Sequence, residues 1–92
     1  MIHSSDGNLL IFGGFSIEHG FLNDVWNFNT SSREWRKERS SQNLTPMPRS
    51  HHAASYLPSS NKMVIVGGQG SSQIFCDIWL FSVETKLWEK IM

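Results

Sequence analysis

Short apolar runs separated by polar turns dominate the pattern of this chain. Residues 9–12, 63–66 and 78–81 are apolar at every position. A strand with one face in water would alternate apolar and polar residues, so these continuous runs indicate strands covered on both faces. Clusters rich in Asn, Ser and Thr between the runs, such as 29–32 and 59–61, favour hairpin turns. No stretch keeps the 3.6-residue period of a helix. The pattern therefore predicts an all-β fold of antiparallel strands.

The chain also repeats itself. Each of two units contains, in order, an apolar run, two glycines, an Asp-x-Trp-x-Phe segment and a second tryptophan nine residues after the first. The recurring positions are Gly13, Gly14, Asp24, Trp26 and Trp35 in the first unit and Gly67, Gly68, Asp77, Trp79 and Trp88 in the second. The glycines recur at an offset of 54 residues and the later positions at 53. Because both order and spacing recur, the two units are expected to share one structure.

A period near 50 residues, with paired glycines after an apolar strand and two tryptophans per unit, resembles the kelch repeat, one four-stranded blade of a β-propeller. The second unit carries the whole family pattern, since Arg49 and His52 stand in the Pro-x-x-Arg-x-x-His segment that opens it. The first unit lacks that opening. The resemblance therefore implies a partial blade over 1–38 with strands 2 to 4, a linker over 39–48 and a complete blade over 49–92. It also implies that the recurring residues are structural.

Composition excludes several classes of partner. The 92 residues carry 8 Lys and Arg against 8 Asp and Glu, so no global charge attracts the chain to nucleic acid. The apolar runs are far shorter than the roughly 20 residues of a membrane helix, so no membrane contact is expected. Cys76 is the only cysteine and forms no internal disulfide, which favours a cytoplasmic over a secreted protein.

No group of residues has the pattern of a catalytic, cofactor or metal site. Residues 68–70 read Gly-Gln-Gly, but no helix is predicted to follow and complete a phosphate-binding turn. Adjacent His51 and His52 point to opposite faces if they lie on a strand, so they do not chelate one ion. No serine stands in Gly-x-Ser-x-Gly. We therefore expect neither catalysis nor a bound cofactor.

The resemblance implies a protein-binding propeller, and binding residues of such scaffolds gather on the loops between strands. Equivalent loops follow the two glycine pairs and carry apolar side chains that suit a protein partner. These candidate contact residues are Ile17, Phe21 and Leu22 in the first loop and Ile74 and Phe75 in the second. The alternative for Leu22 and Phe75 is that they tuck under the rim of the propeller.

The number of repeats raises a further question. A closed propeller needs about 4–8 blades, and this chain holds fewer than two. We therefore expect a fragment of a larger propeller that binds protein. One alternative is a fragment of a kelch-propeller enzyme, either sugar-processing or a copper oxidase with Tyr and His ligands, although Tyr56 is the only tyrosine here. Another is self-association, in which several copies close one propeller.

Overall fold

The computed structural model describes residues 2–3, 7–38 and 44–92, which form eight strands in two antiparallel sheets. Strands pair in sequence order within each sheet. The N-terminal sheet contains β1 (Ile2–His3), β2 (Leu9–Ser16), β3 (Gly20–Asn29) and β4 (Glu34–Glu38). The C-terminal sheet contains β5 (Ala53–Leu57), β6 (Lys62–Gln69), β7 (Ile74–Ser82) and β8 (Trp88–Lys90). The predicted all-β class and the four-stranded blades are confirmed.

Local sequence explains the tight turn between β3 and β4. The side-chain oxygen of Asn29 accepts hydrogen bonds from the backbone N–H groups of Ser31 and Ser32 at 2.9 and 3.0 Å. Arg33 then adopts a positive φ of 60° and donates its N–H to the Asn29 carbonyl. Lys86 has a φ of 61° at the equivalent place between β7 and β8. The two turns therefore repeat in backbone conformation, although residues 29–33 and 82–86 differ in sequence.

The N-terminal sheet has one strand more than the sequence indicated. Only strands 2 to 4 were expected over 1–38, because the Arg-x-x-His opening is missing. Residues Ile2 and His3 nevertheless pair with Leu10 and Leu9 as a two-residue strand, and Ile2 is buried in the core. Pairing at these two residues gives the N-terminal sheet its fourth strand. Of the predicted linker 39–48, residues 39–43 lie outside the described residues and 44–48 form no strand.

The two sheets pack face to face around one hydrophobic core. The N-terminal sheet contributes Ile2, Leu10, Phe12 and Val25, and the C-terminal sheet contributes Met63, Ile65, Trp79, Phe81 and Trp88. Phe12 meets Trp88 edge to face, with ring centroids 5.0 Å apart. At the edge of this contact, Lys86 Nζ lies 3.2 Å from the buried Glu38 carboxylate, which ties the two sheets together by an ion pair.

The sheets bury opposite faces of equivalent strands. Leu10 and Phe12 are buried in β2, but their equivalents 54 residues later are Val64 and Val66. In β6 the neighbouring residues Met63 and Ile65 are buried instead. Since successive side chains of a strand point to opposite faces, each sheet has one covered face and one open face. The expectation that the strands are covered on both faces is therefore wrong for the described part of the chain.

Candidate functional site

Arg49 is the centre of the junction between the two sheets. Its side chain is fully buried, and its Nη2 donates to Asp77 Oδ2 at 3.0 Å while Nη1 contacts Oδ1 of the same carboxylate. Nη1 also donates to the Gly67 carbonyl, and Nε donates to the Met47 carbonyl, both at 3.0 Å. The planar guanidinium matches this fork of acceptors, which a lysine does not.

Asp77 accepts bonds from two directions. The Trp79 indole Nε1 donates to Oδ2 at 2.9 Å, in addition to the arginine. The hydrogen bonds from Arg49 hold the pKa of the Asp77 carboxyl below its usual range, outweighing partial burial, which acts in the opposite direction. In the first repeat the Trp26 indole donates to Asp24 at 3.1 Å, but the described residues supply no arginine there. The Asp-x-Trp hydrogen bond thus occurs in both repeats, and the ion pair with an arginine occurs in the second among the described residues.

Backbone hydrogen bonds of Arg49 join the two sheets directly. Its N–H donates to the Leu22 carbonyl at 3.0 Å, and its carbonyl accepts from the Gly14 N–H at 2.8 Å. This close approach needs a glycine at position 13, because a Cβ there would lie 2.7 Å from the Arg49 carbonyl oxygen and φ is +69°. The strands continue beyond both glycine pairs through a register shift, so each pair forms a bulge within its strand.

His52 packs into the same junction. Its ring meets Phe12 edge to face at 5.3 Å, and its Nδ1 is buried without a partner. Burial lowers the pKa of His52, and the charge of Arg49 adds to that shift. The first strand of the sheet begins at Ala53, so Arg49 and His52 lie in the segment before it rather than on it. His52 therefore acts as a neutral packing group, and adjacent His51 has a positive φ of 58°.

A cleft of about 480 Å³ lies between the equivalent loops of the two sheets. Its apolar lining comes from the end of β2, the start of β3, the segment before Arg49 and the start of β7, namely Phe15, Phe21, Met47, Pro48 and Phe75. Residues 70–73 supply glycine, serine and glutamine groups on one wall. His19 is the only titratable residue in the lining. The cleft is thus an uncharged surface rich in aromatic groups.

The five predicted contact residues fall into three groups. Phe21 and Phe75 line the cleft, where Phe75 is held 4.0 Å beneath the Arg49 guanidinium. Ile17 in the β2–β3 turn is 98% exposed, and Ile74, the first residue of β7, is 81% exposed. Leu22 is half-buried and lies outside the cleft lining, with its carbonyl bound by the Arg49 N–H. Phe75 therefore both packs against Arg49 and faces the cleft, whereas Leu22 contributes no part of the cleft lining.

Sequence reasoning missed Phe15, Met47 and Pro48. Phe15 is 59% exposed and Met47 55% exposed, and both face the cleft. Phe15 is the first residue of the loop predicted after the first glycine pair, and Met47 lies between two prolines just before Arg49. The sequence feature that could have indicated Met47 is its position as an apolar residue in the proline-rich segment just before the C-terminal sheet.

The described residues lack two other kinds of feature. Within 2–3, 7–38 and 44–92, no three His, Cys, Asp or Glu side chains converge as a metal site. The same residues include no helix that is long and apolar enough to cross a membrane.

Comparison with known proteins matches the whole chain to one family. The model of the KLHDC2/KLHL20/DRC7 Kelch-repeats domain matches residues 1–92. Relatives include multiple epidermal growth factor-like domains protein 8 of Rattus norvegicus, 31% identical over 98% of this chain, and Rho GTPase-activating protein gacHH of Dictyostelium discoideum, 36% identical over 89%. Host cell factor of Drosophila melanogaster is 41% identical over 66%. The chain spans 3%, 5% and 4% of the lengths of these proteins, respectively. With the repeat, the two four-stranded sheets and this match in agreement, the chain belongs to the kelch-repeat family.

Proposed function

We propose that this chain is a protein-binding kelch module that acts as two blades of a larger propeller and catalyses no reaction. Kelch repeats generally serve as non-catalytic interaction modules. The observation that carries the proposal is the cleft between the two equivalent loops. Its exposed Phe15 and Met47 are apolar groups held at a concave surface, which is the usual composition of a recognition site.

The lining indicates what the partner presents. Three phenylalanines, one methionine and one proline offer apolar contact area, and no lysine, arginine or carboxylate lies among them. A charged side chain entering the cleft would lose its water without meeting an opposite charge among the lining residues. We therefore propose that an apolar or aromatic side chain of an extended protein segment enters the cleft, while Ile17 and Ile74 contact the flanking residues of that segment.

The test is selection of binding peptides from a random phage-displayed library against the purified chain. Enriched peptides are then synthesised, and their Kd values are measured by fluorescence anisotropy. We expect Phe15→Ser and Met47→Ser to weaken binding at least tenfold. The matched control is Leu57→Ser, since Leu57 is 39% exposed but lies at the β5–β6 turn. Failure to enrich any sequence, or equal losses in the three variants, contradicts the proposal.

A cytoplasmic location is part of the same proposal, supported by the absence of an internal disulfide. The enzyme-fragment alternative gains no support from the lining of the cleft, and Tyr56 donates instead to Asn61 beside the β5–β6 turn. Fluorescence microscopy of the tagged chain tests the location.

A further inference from the structure

We propose that copies of this chain associate head to tail, the open face of the N-terminal sheet of one copy packing on the open face of the C-terminal sheet of the next. The open N-terminal face consists of Leu9, Ile11, Trp26, Phe28 and Trp35. The open C-terminal face consists of Val64, Val66, Ile78 and Leu80. Among these, Trp35 is 53% exposed, Val66 44% and Trp26 36%.

The open N-terminal face duplicates a surface that the chain already buries. Shifted by the repeat offsets, its five residues correspond to Met63, Ile65, Trp79, Phe81 and Trp88 of the C-terminal sheet. Four of the five pairs are the same amino acid, and the fifth is Leu9 against Met63. In the C-terminal sheet all five belong to the hydrophobic core. The exposed aromatic cluster, in which the Phe28 and Trp35 rings lie 4.8 Å apart, is therefore a core-type face that no other described part of the chain covers.

The chain also carries a second surface of the kind that covers this core-type face. In the structure, Trp79, Phe81 and Trp88 pack on the inner face of the N-terminal sheet, formed by Leu10, Phe12, Val25 and Asn27. The repeat equivalents of those four residues are Val64, Val66, Ile78 and Leu80, the open C-terminal face. Leu80 stands where Asn27 leaves a buried oxygen unpartnered, so the open face is more apolar than the one already in use. A second copy thus supplies what each open face lacks.

Repeat geometry favours head-to-tail contact over contact between identical faces. The intramolecular contact between the two sheets shows how these two kinds of face fit together, and no such template exists for pairing two N-terminal faces. Head-to-tail contact leaves an open face at each end of a pair, so addition continues until a ring closes. With about 4–8 blades in a closed propeller, a ring holds two to four copies.

The proposed contact between copies lacks the ion pair that joins the two sheets within the chain. Lys86 pairs with Glu38 across the two sheets, and the repeat equivalents of these residues are Arg33 and Ile91. The arginine of the next copy therefore meets an isoleucine, and no ion pair forms. Since no peptide linker joins the copies either, we expect assembly to depend on protein concentration.

The test is light scattering coupled to size exclusion, with sedimentation velocity, on the 92-residue chain over a concentration series. We expect a discrete species of two to four copies that dissociates on dilution. The variants Trp35→Arg and Val66→Arg each remove one face and should at least halve the mass. Ser59→Arg, at the exposed β5–β6 turn, should leave the mass unchanged.

Mixing the two face variants separates the arrangements. Trp35→Arg keeps an intact C-terminal face and Val66→Arg an intact N-terminal face, so the mixture should form a one-to-one pair and nothing larger. Pairing of Val66→Arg with itself would show contact between identical faces and overturn the proposal. A monomeric wild-type chain at every concentration, or an aggregate that neither variant dissolves, would overturn it as well. If arginine unfolds either variant, as circular dichroism would show, Trp35→Ser and Val66→Ser repeat the test.

Discussion

Arg49 and Asp77 form a two-pronged ion pair that fixes the segment before β5 to the third strand of the same sheet. The guanidinium is fully buried, and it lies over the Phe75 ring that lines the cleft. The backbone of the same arginine bonds the N-terminal sheet. One residue therefore connects the blade, its neighbour and the proposed binding surface, so a defect at Arg49 is expected to reach all three.

Arg49→Met is expected to destabilise the chain by about 3 kcal/mol. The substitution leaves Asp77 without its counter-charge and the Gly67 carbonyl without a donor, and breaking a buried pair costs about 3–5 kcal/mol. The lower end applies because the Asp77 side chain keeps 17% exposure. Urea unfolding measures the change. Arg33→Met removes an exposed arginine and serves as the control; equal losses in the two variants would contradict the role given to the pair.

The same pair predicts an acid-dependent stability difference. The pKa of Asp77 is lower in the folded chain than its unfolded value of about 3.9. The unfolded state therefore takes up the proton first, and the stabilisation present above that value is lost as pH falls through the folded pKa. The gap in unfolding free energy between wild type and Arg49→Met should be largest at neutral pH and shrink below about pH 4. A gap that stays constant down to pH 2.5 would show that the charge of Asp77 contributes nothing.

The strands were predictable because their apolar runs and turn residues act locally. Residues 9–12 and 63–66 both lie in strands, and the turn after Asn29 forms through that residue's own side chain. The face that each strand buries was not predictable. Leu9 and Leu10 have the same hydrophobicity, and only the position of the other sheet buries one and leaves the other half-exposed.

The tryptophans show the same limit. They form two equivalent pairs, since each tryptophan of the first repeat has a counterpart 53 residues later. Yet Trp79 and Trp88 are buried, while Trp26 and Trp35 are partly exposed. The difference is tertiary, since it depends on which sheet lies against them. The candidate site was predictable in part for a similar reason: Phe21 and Phe75 lie on the predicted loops, but Met47 reaches the cleft only because Arg49 anchors the segment before β5.

Gly13→Ala is expected to cost more than Gly20→Ala. The two glycines have similar φ values of +69° and +77°, so alanine suffers about the same backbone strain of roughly 1–2 kcal/mol at each. Only at position 13 does the new methyl group meet an obstacle, the Arg49 carbonyl at 2.7 Å, whereas nothing lies within 4 Å at position 20.

Overpacking adds about 1–3 kcal/mol, and this is the expected difference between the two variants in urea unfolding. If the new methyl group displaces the Arg49 carbonyl, Gly13→Ala also weakens the hydrogen bond that this carbonyl accepts from the Gly14 N–H. Equal losses in the free energy of unfolding for Gly20→Ala and Gly13→Ala would show that the junction between the sheets accommodates the new methyl group without destabilisation.

Trp88→Ala is expected to destabilise the chain more than Trp35→Ala, although the two tryptophans occupy equivalent positions in the repeat. Trp88 is 4% exposed and touches Phe12, Trp79 and Phe81, so its removal opens a cavity between the sheets. Loss of a buried tryptophan costs about 3–5 kcal/mol. Trp35 is 53% exposed and contacts the ring of Phe28 alone among the described rings, so its removal should cost about 1 kcal/mol.

The two losses are compared by chemical denaturation monitored by tryptophan fluorescence, in solutions dilute enough that the wild-type chain is monomeric by light scattering. Dilution matters because Trp35 lies on the face assigned to contact between copies, and assembly would add to its apparent contribution. The Trp35→Ala loss should therefore grow with protein concentration while the Trp88→Ala loss keeps its excess at every concentration. Equal losses in dilute solution would mean that the covered and open faces contribute alike, contrary to the packing of the two sheets.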